Sequence, residues 1–127
     1  MTIEQALYKA LAADFELQGL LGGRIFPVLI PQGARLPVLV YHQVSGVPYN
    51  HLGAGYGLSR VRIRLDVWAL SYADAKDIAE AVKAAVAAAG GFEKMIESSG
   101  PDWGDDKTFR TSVDIVCWEK GGHCYGV

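Results

Sequence analysis

The sequence predicts an α+β fold, a mostly antiparallel or mixed sheet of about four strands with two helices packed mainly on one face. Three observations carry that expectation. In Arg60-Val-Arg-Ile-Arg-Leu-Asp-Val67, the apolar Val61, Ile63, Leu65 and Val67 alternate with Arg60, Arg62, Arg64 and Asp66, so a strand here has one apolar and one ionic face. Directly after it, Ala75, Ile78, Ala79, Val82, Ala85, Val86 and Ala89 recur at helical spacing, with Lys76, Asp77, Glu80 and Lys83 on the opposite side. A strand from Arg60 to Leu70 spans about 37 Å and a helix from Tyr72 to Ala89 about 27 Å, so the helix can cover most of the strand. The third observation is element order: helix, short strand, strand, long strand, helix, short strand, long strand.

Each element has a local cause. Thr2 and Gln5 form a capping box ahead of Ile3, Leu7, Ala10 and Leu11, the buried stripe of a first helix. Phe15, Leu17, Leu20 and Leu21 continue as a shorter helical piece that Gly22-Gly23 stops. Residues 25–30 are apolar but interrupted by Pro27 and closed by Pro31, which permits at most a short edge strand. Pro37 opens the next strand, residues 38–44, with Val38, Val40, His42 and Val44 on one face and Leu39, Tyr41 and Gln43 on the other. Residues 45–57, with four glycines, Pro48, Tyr49, Asn50, His51 and Tyr56, have the composition of a long loop joining this strand to the arginine strand as an antiparallel pair. Ser71 caps the long helix, Asp74 stands three residues on, and Gly90-Gly91 ends it. Residues 92–96 read as a short strand and 97–107 as a loop. The last strand, 108–118, places Phe109, Val113, Ile115 and Cys117 on one face and Arg110, Asp114 and Trp118 on the other.

At 127 residues the chain reads as one domain, 1–127, which buries roughly two-thirds of its unfolded surface without metal or disulfide staples. A formal net charge of -2 gives no global basic signal for nucleic acid. Glu4, Lys9 and Asp14 interrupt the first twenty residues, unlike a signal peptide, and no apolar run approaches a membrane span. Cys117 and Cys124 are too few for a secreted disulfide scaffold, so the expectation is a protein made in a reducing cytoplasm.

No catalytic, cofactor or metal constellation emerges. His42, His51 and His123 lack metal-ligand spacing, and Cys117, His123 and Cys124 have no CxxC or fourth ligand beside them. The Gly53-Ala-Gly-Tyr-Gly57 run leads into a strand, whereas a phosphate loop opens a helix. Asp66 and Asp114 each have arginines on their own face, which suits structural ion pairs better than general acid–base work. Arg60, Arg62 and Arg64 stand on one strand face, as a phosphate-binding strand requires, yet a slightly acidic chain favours a solvated or cross-strand-paired face. Trp68 and Trp118 lie on that same nominal face and suggest either local packing or a protein interface. The candidate interface residues are therefore Arg60, Arg62, Arg64, Asp66, Trp68, Asp114 and Trp118, with Tyr49, His51 and Tyr56 from the glycine-rich stretch.

Several segments, in order, resemble the tail-completion proteins of tailed bacteriophages: Gly22-Gly-Arg-Ile-Phe-Pro27, Pro31-Gln-Gly-Ala-Arg-Leu-Pro37, Val40-Tyr41, Val44-Ser-Gly-Val-Pro48, Arg64-Leu-Asp-Val-Trp68, Ser71-Tyr-Ala-Asp-Ala75 and the closing strand through Asp114 and Trp118. The resemblance covers nearly the whole chain and leaves residues 121–127 unmatched. It implies kinship with tail terminators, structural virion proteins whose six-membered ring caps the head-proximal end of the tail tube. Such a ring stops tube polymerisation and offers a docking surface to the head connector. The implied partners are further copies of the chain, the major tail-tube protein and the head-tail connector or stopper protein, with no membrane, cofactor or specific nucleic acid. The implied location is the virion tail, assembled in the host bacterial cytoplasm. Two alternatives stay open: a connector or stopper of the same virion, or a small nucleic-acid-binding module using Arg60, Arg62 and Arg64.

Overall fold

The computed structural model describes residues 2–49, 58–90, 93–120 and 123–124. Helix α1 (Ile3–Ala13) opens with the expected capping box, in which the Thr2 hydroxyl accepts from the Gln5 amide and the Gln5 side chain accepts from the Thr2 amide. Asp14 closes α1 and caps α2 (Phe15–Leu21), accepting from the Leu17 amide at 3.1 Å. Gly22 then ends α2 at φ 57°, where any Cβ is disfavoured. Strands β1 (Ile25–Pro27), β2 (Val38–Tyr49) and β3 (Leu58–Ala69) follow, then α3 (Tyr72–Ala88), β4 (Glu93–Gly104), β5 (Phe109–Lys120) and β6 (His123–Cys124). The Ser71 hydroxyl caps α3 by accepting from the Asp74 amide. Its other end is closed by Ala89 in extended conformation, not by a left-handed glycine.

The sheet order is β1-β2-β3-β5-β4, with β6 paired to the end of β5. Only β1 and β2 run parallel, so the sheet is mixed and the fold is α+β. Among the described residues it has six strands against the expected four or so: β1 is the short edge strand that the sequence allows at residues 25–30, and β6, only two residues long, leaves no sequence pattern. The third helix is the short α2.

Two boundaries depart from the sequence reading. Strand β2 continues through part of the supposed loop, pairing Ser45 to Arg62 and so on to Tyr49 opposite Leu58. Val44 occupies the register shift between Gln43 and Ser45, which removes it from the face of Val38, Val40 and His42. Pro48 is tolerated because, among the described residues, β1 pairs β2 at Leu39, Val40 and Tyr41 and no strand pairs the outer edge of β2 at the proline. Likewise, residues 97–104 are not loop but the second half of β4, whose register shifts between Ile96 and Ser98 and between Ser99 and Asp102. Gly100 takes φ 98° in the second shift, and an outer strand accommodates both the bulges and Pro101.

All three helices contribute to one core against one face of the sheet. Leu7, Leu11, Leu17, Leu21, Ile78, Val82 and Val86 meet Leu39, Ile63, Leu65, Val67, Val113, Ile115 and Cys117. Each such buried aliphatic side chain stabilises the fold by about 1.5–3 kcal/mol. Truncating the fully buried Leu65 of the central strand to Ala is expected to cost about 2–5 kcal/mol.

Candidate interaction surface

The helices leave the opposite sheet face open, and alternation along each strand decides what it presents. The β3–β5 register runs from Arg60 opposite Trp118 through Arg64 opposite Asp114 and Asp66 opposite Ser112 to Trp68 opposite Arg110. Outside β5, β4 places Met95 opposite Val116, Ser98 opposite Asp114 and Trp103 opposite Arg110. The sequence-predicted Arg60, Arg62, Arg64, Asp66, Trp68, Asp114 and Trp118 thus share one face of two neighbouring strands.

Carboxylates and guanidinium groups pair there, although Nε of Arg62 and Nε of Arg110 are buried without a hydrogen-bond partner among the described residues. Arg64 donates from Nε at 2.9 Å and from Nη2 at 3.2 Å to the two oxygens of Asp114, a forked pair in which the carboxylate is nearly buried. This bond outweighs partial burial and raises the Arg64 pKa further, keeping the guanidinium charged. Ser112 donates to Asp66 at 2.5 Å. Arg60, at 3.3 Å, and Arg62 both bind Glu97 of β4. Each arginine of the strand is therefore matched by an acid: Arg64 by Asp114 of the adjacent β5, and Arg60 and Arg62 by Glu97 of β4, one strand beyond. Val116, between Arg62 and Met95 in the register, is fully buried although it faces away from the helices. Long flanking side chains can shield a short valine in this way.

At one end of the face, Trp68 makes an edge contact with Trp103, ring centroids 5.7 Å apart, and the Arg110 guanidinium stands 5.7 Å from the Trp68 ring. Trp118 is eight residues further along β5 than Arg110, about 27 Å away in an extended strand. The two sequence-predicted tryptophans therefore do not meet. Tyr49 lies at the far end of β2, opposite Leu58; His51 and Tyr56 lie outside the described residues.

Sequence reasoning missed Glu97, Trp103 and Arg110's contact with Trp68. Glu97 and Trp103 sit in the half of β4 that its glycines and proline disguise as loop. The signal that could have found Trp103 is Pro101 itself, which is compatible with an outer strand.

A second feature lies where β4 turns into β5. Tyr72, Trp103 and Phe109 line a cleft of about 450 Å³ together with Asp102, Asp105 and Asp106. The Tyr72 hydroxyl donates to Asp102 at 2.8 Å and Lys76 binds the same carboxylate oxygen at 2.8 Å, holding its pKa below the usual carboxylate range. Amides of Lys107 and Thr108, both donating at 2.8 Å, lower that of Asp105. Among the described residues, no three His, Cys, Asp or Glu side chains are grouped to hold a metal ion. No described helix is long and apolar enough to cross a membrane.

A family model described as tail completion protein gp17 matches residues 5–119. No curated protein matches the sequence. Among solved structures, a chain from the "Virion of native gene transfer agent (GTA) particle" is similar with a TM-score of 0.73 at 18% identity, over 94% of this chain and 96% of that one. At that identity the likeness is one of fold.

Proposed function

Because this chain belongs to the family of tail completion protein gp17, and so has a structural role in a phage tail, we propose that it caps the head-proximal end of the tail tube. In this reading residues 1–127 act as one tail-terminator-like domain. Six copies close into a ring that ends tube polymerisation and presents the docking surface for the head connector. The major tail-tube protein and the connector or stopper protein are its partners, and the virion tail, assembled in the host cytoplasm, is its location. The role is structural, not enzymatic.

The observation that carries this reading is the extent of the family match, which includes every long element and the whole Arg64–Asp114 and Trp68–Trp103 face. Half-exposed aromatic rings beside ion pairs suit an interface that must remain soluble before assembly. The candidate residues contribute as a surface: Arg60, Arg62, Arg64, Asp66 and Asp114 through cross-strand pairs, and Trp68 and Trp118 as partly exposed anchors. Pairing of all three strand arginines with acids favours this structural role over phosphate binding.

The test is electron microscopy of the full chain with and without its tube subunit. Rings at one end of tubes of defined length are expected. Tubes that continue to grow at both ends in its presence would overturn the capping function. Trp68→Ala and Trp118→Ala are expected to weaken ring formation more than folding, read by light scattering beside thermal melts.

A further inference from the structure

The two edges of the sheet differ in charge and in shape. Between Glu16 and Asp66 the sequence has no acidic residue, so the β1–β2 edge and the connection joining these strands carry Arg24 and Arg35 with no counter-charge of their own. At the opposite edge, residues 93–107 hold five acids and two lysines. Around the cleft, Asp102, Asp105 and Asp106 against Lys76 and Lys107 leave one net negative charge, three acids less two bases. Asp102 and Asp105 are engaged within the chain, and no partner for Asp106 is found among the described residues.

Shape follows the same polarity. The cleft is a shallow, open depression bordered by three aromatic rings. The β1 edge carries a projection: Val28, Leu29 and Ile30 are 63%, 74% and 37% exposed. Val28 holds φ 66° while the Leu29 amide donates to the Pro27 carbonyl at 2.7 Å. A β-branched residue in that region stores about 1–3 kcal/mol of strain, and here the tight turn accompanies outward-facing apolar side chains. Arg35 is exposed beside it, with no ion partner among the described residues.

The two features are offset by a few residues along the strands. Ile25 pairs with Leu39, Leu39 with Val67, Val67 with Thr111 and Thr111 with Asp102. That row begins three residues before Val28: Val28 follows Pro27 in the row of Tyr41, Leu65, Val113 and Ser99, whereas Trp103 lies in the row of Arg110, Trp68 and Val38, about 10 Å away along the strands. A head-to-tail contact closes into a ring without forming a helix only when its two surfaces meet at one height around the axis. Complementary surfaces offset in this way at the two edges of the sheet meet that condition when the strands are inclined to the axis.

Resting on the ring reading above, we propose that successive copies join head to tail, with the Val28-Leu29-Ile30 turn of one copy seated against Tyr72, Trp103 and Phe109 of the next and Arg35 set beside Asp106. The occupant of the cleft is thus a second copy of this chain. Apolar rings bury the exposed aliphatic turn, while the charge pair fixes which edge meets which.

The test uses the full chain. Arg35→Glu and Asp106→Arg are each expected to raise the concentration for half-assembly by about tenfold or more, and the combined variant to restore it. Circular dichroism melts check that each variant folds. As a second readout, Arg35→Cys with Asp106→Cys in a Cys124→Ser background is expected to give, on oxidation, a covalent ladder ending at the ring size. Variants that form rings at the wild-type concentration despite either charge reversal, and a cysteine variant that gives no ladder, would overturn this interface while leaving the ring intact. A cross-link that stops at dimers would overturn the head-to-tail arrangement. A wild-type chain that stays monomeric, alone and with tube subunits, would remove the ring reading and this interface together.

Discussion

Arg64 and Asp114 stand directly opposite each other across the β3–β5 ladder, joined by two hydrogen bonds of 2.9 and 3.2 Å. The guanidinium is about one-third exposed and the carboxylate 8% exposed, so the pair sits between a surface ion pair and a buried one. Coupling of about 1–2 kcal/mol is expected from a double-mutant cycle with Arg64→Ala and Asp114→Ala. The single changes should be unequal. Arg64→Ala leaves a nearly buried carboxylate without its partner and is expected to cost more than Asp114→Ala, whose arginine can turn to water. Urea denaturation of the four proteins measures both, and coupling indistinguishable from zero would reduce the pair to a geometric coincidence.

Asp102 ties the start of α3 to the end of β4 through Lys76 and the Tyr72 hydroxyl. Its folded pKa is lowered, first by Lys76 and then by Tyr72. The contribution to stability is therefore complete above the unfolded carboxylate value of about 3.9 and is lost as pH falls through the lower folded value. Lys76 has the opposite sign: its pKa is raised, first by Asp102, so its contribution is lost as pH climbs past about 10.4 through the folded value. Compared with wild type, Asp102→Asn should show a flatter loss of stability below about pH 4. Lys76→Met should do the same on the alkaline side. Denaturation midpoints across pH check this, and curves parallel to wild type in both windows would contradict it.

Local signals made α1, α3 and β3 legible. The Thr2–Gln5 box and the Ser71 cap are written within four residues, and the aliphatic stripe of α3 and the alternation of β3 need no partner to be seen. Placing Arg64, Asp66 and Asp114 on one face also predicted their cross-strand neighbourhood. What the sequence hid is register. Val44 shifts the phase of β2 by one residue, while Glu97 and Gly100-Pro101 do the same in β4. Each shift breaks the two-residue period on which strand recognition depends. For that reason Glu97 as the acid of Arg60 and Arg62, and Trp103 as the ring beside Trp68, emerge only from three-dimensional pairing.

Gly104 sets the shape of the aromatic cleft. A Cβ built there would stand 2.6 Å from Cδ1 and 3.0 Å from Cε1 of Phe109, so Gly104→Ala must push that ring away. The ring makes an edge contact with Tyr72, centroids 6.4 Å apart. Because the phenyl ring is partly exposed, a loss of only about 1 kcal/mol is expected. The change should be clearer in the near-ultraviolet circular dichroism of the aromatic groups than in the melting temperature. An unaltered aromatic spectrum would show that the cleft accommodates the methyl group without moving Phe109.

The β2–β3 hairpin offers the sharpest separation of stability from recognition. Its arms remain paired as far as Tyr49 opposite Leu58, so a two-residue Asn-Gly turn in place of residues 50–57 would join two directly opposed positions, the geometry such turns favour. Shortening the connection from eight residues to two lowers the entropy cost of closing it by about 1 kcal/mol. Thermal stability should therefore be unchanged or slightly raised. The deleted stretch, however, contains His51 and Tyr56, an imidazole and an aromatic ring. Long connecting segments commonly carry recognition. A phage lacking the wild-type gene is then expected not to complete its tails with the shortened protein, although that protein folds. Complementation at wild-type titre by a stably folded variant would place recognition on the sheet face and its edges instead.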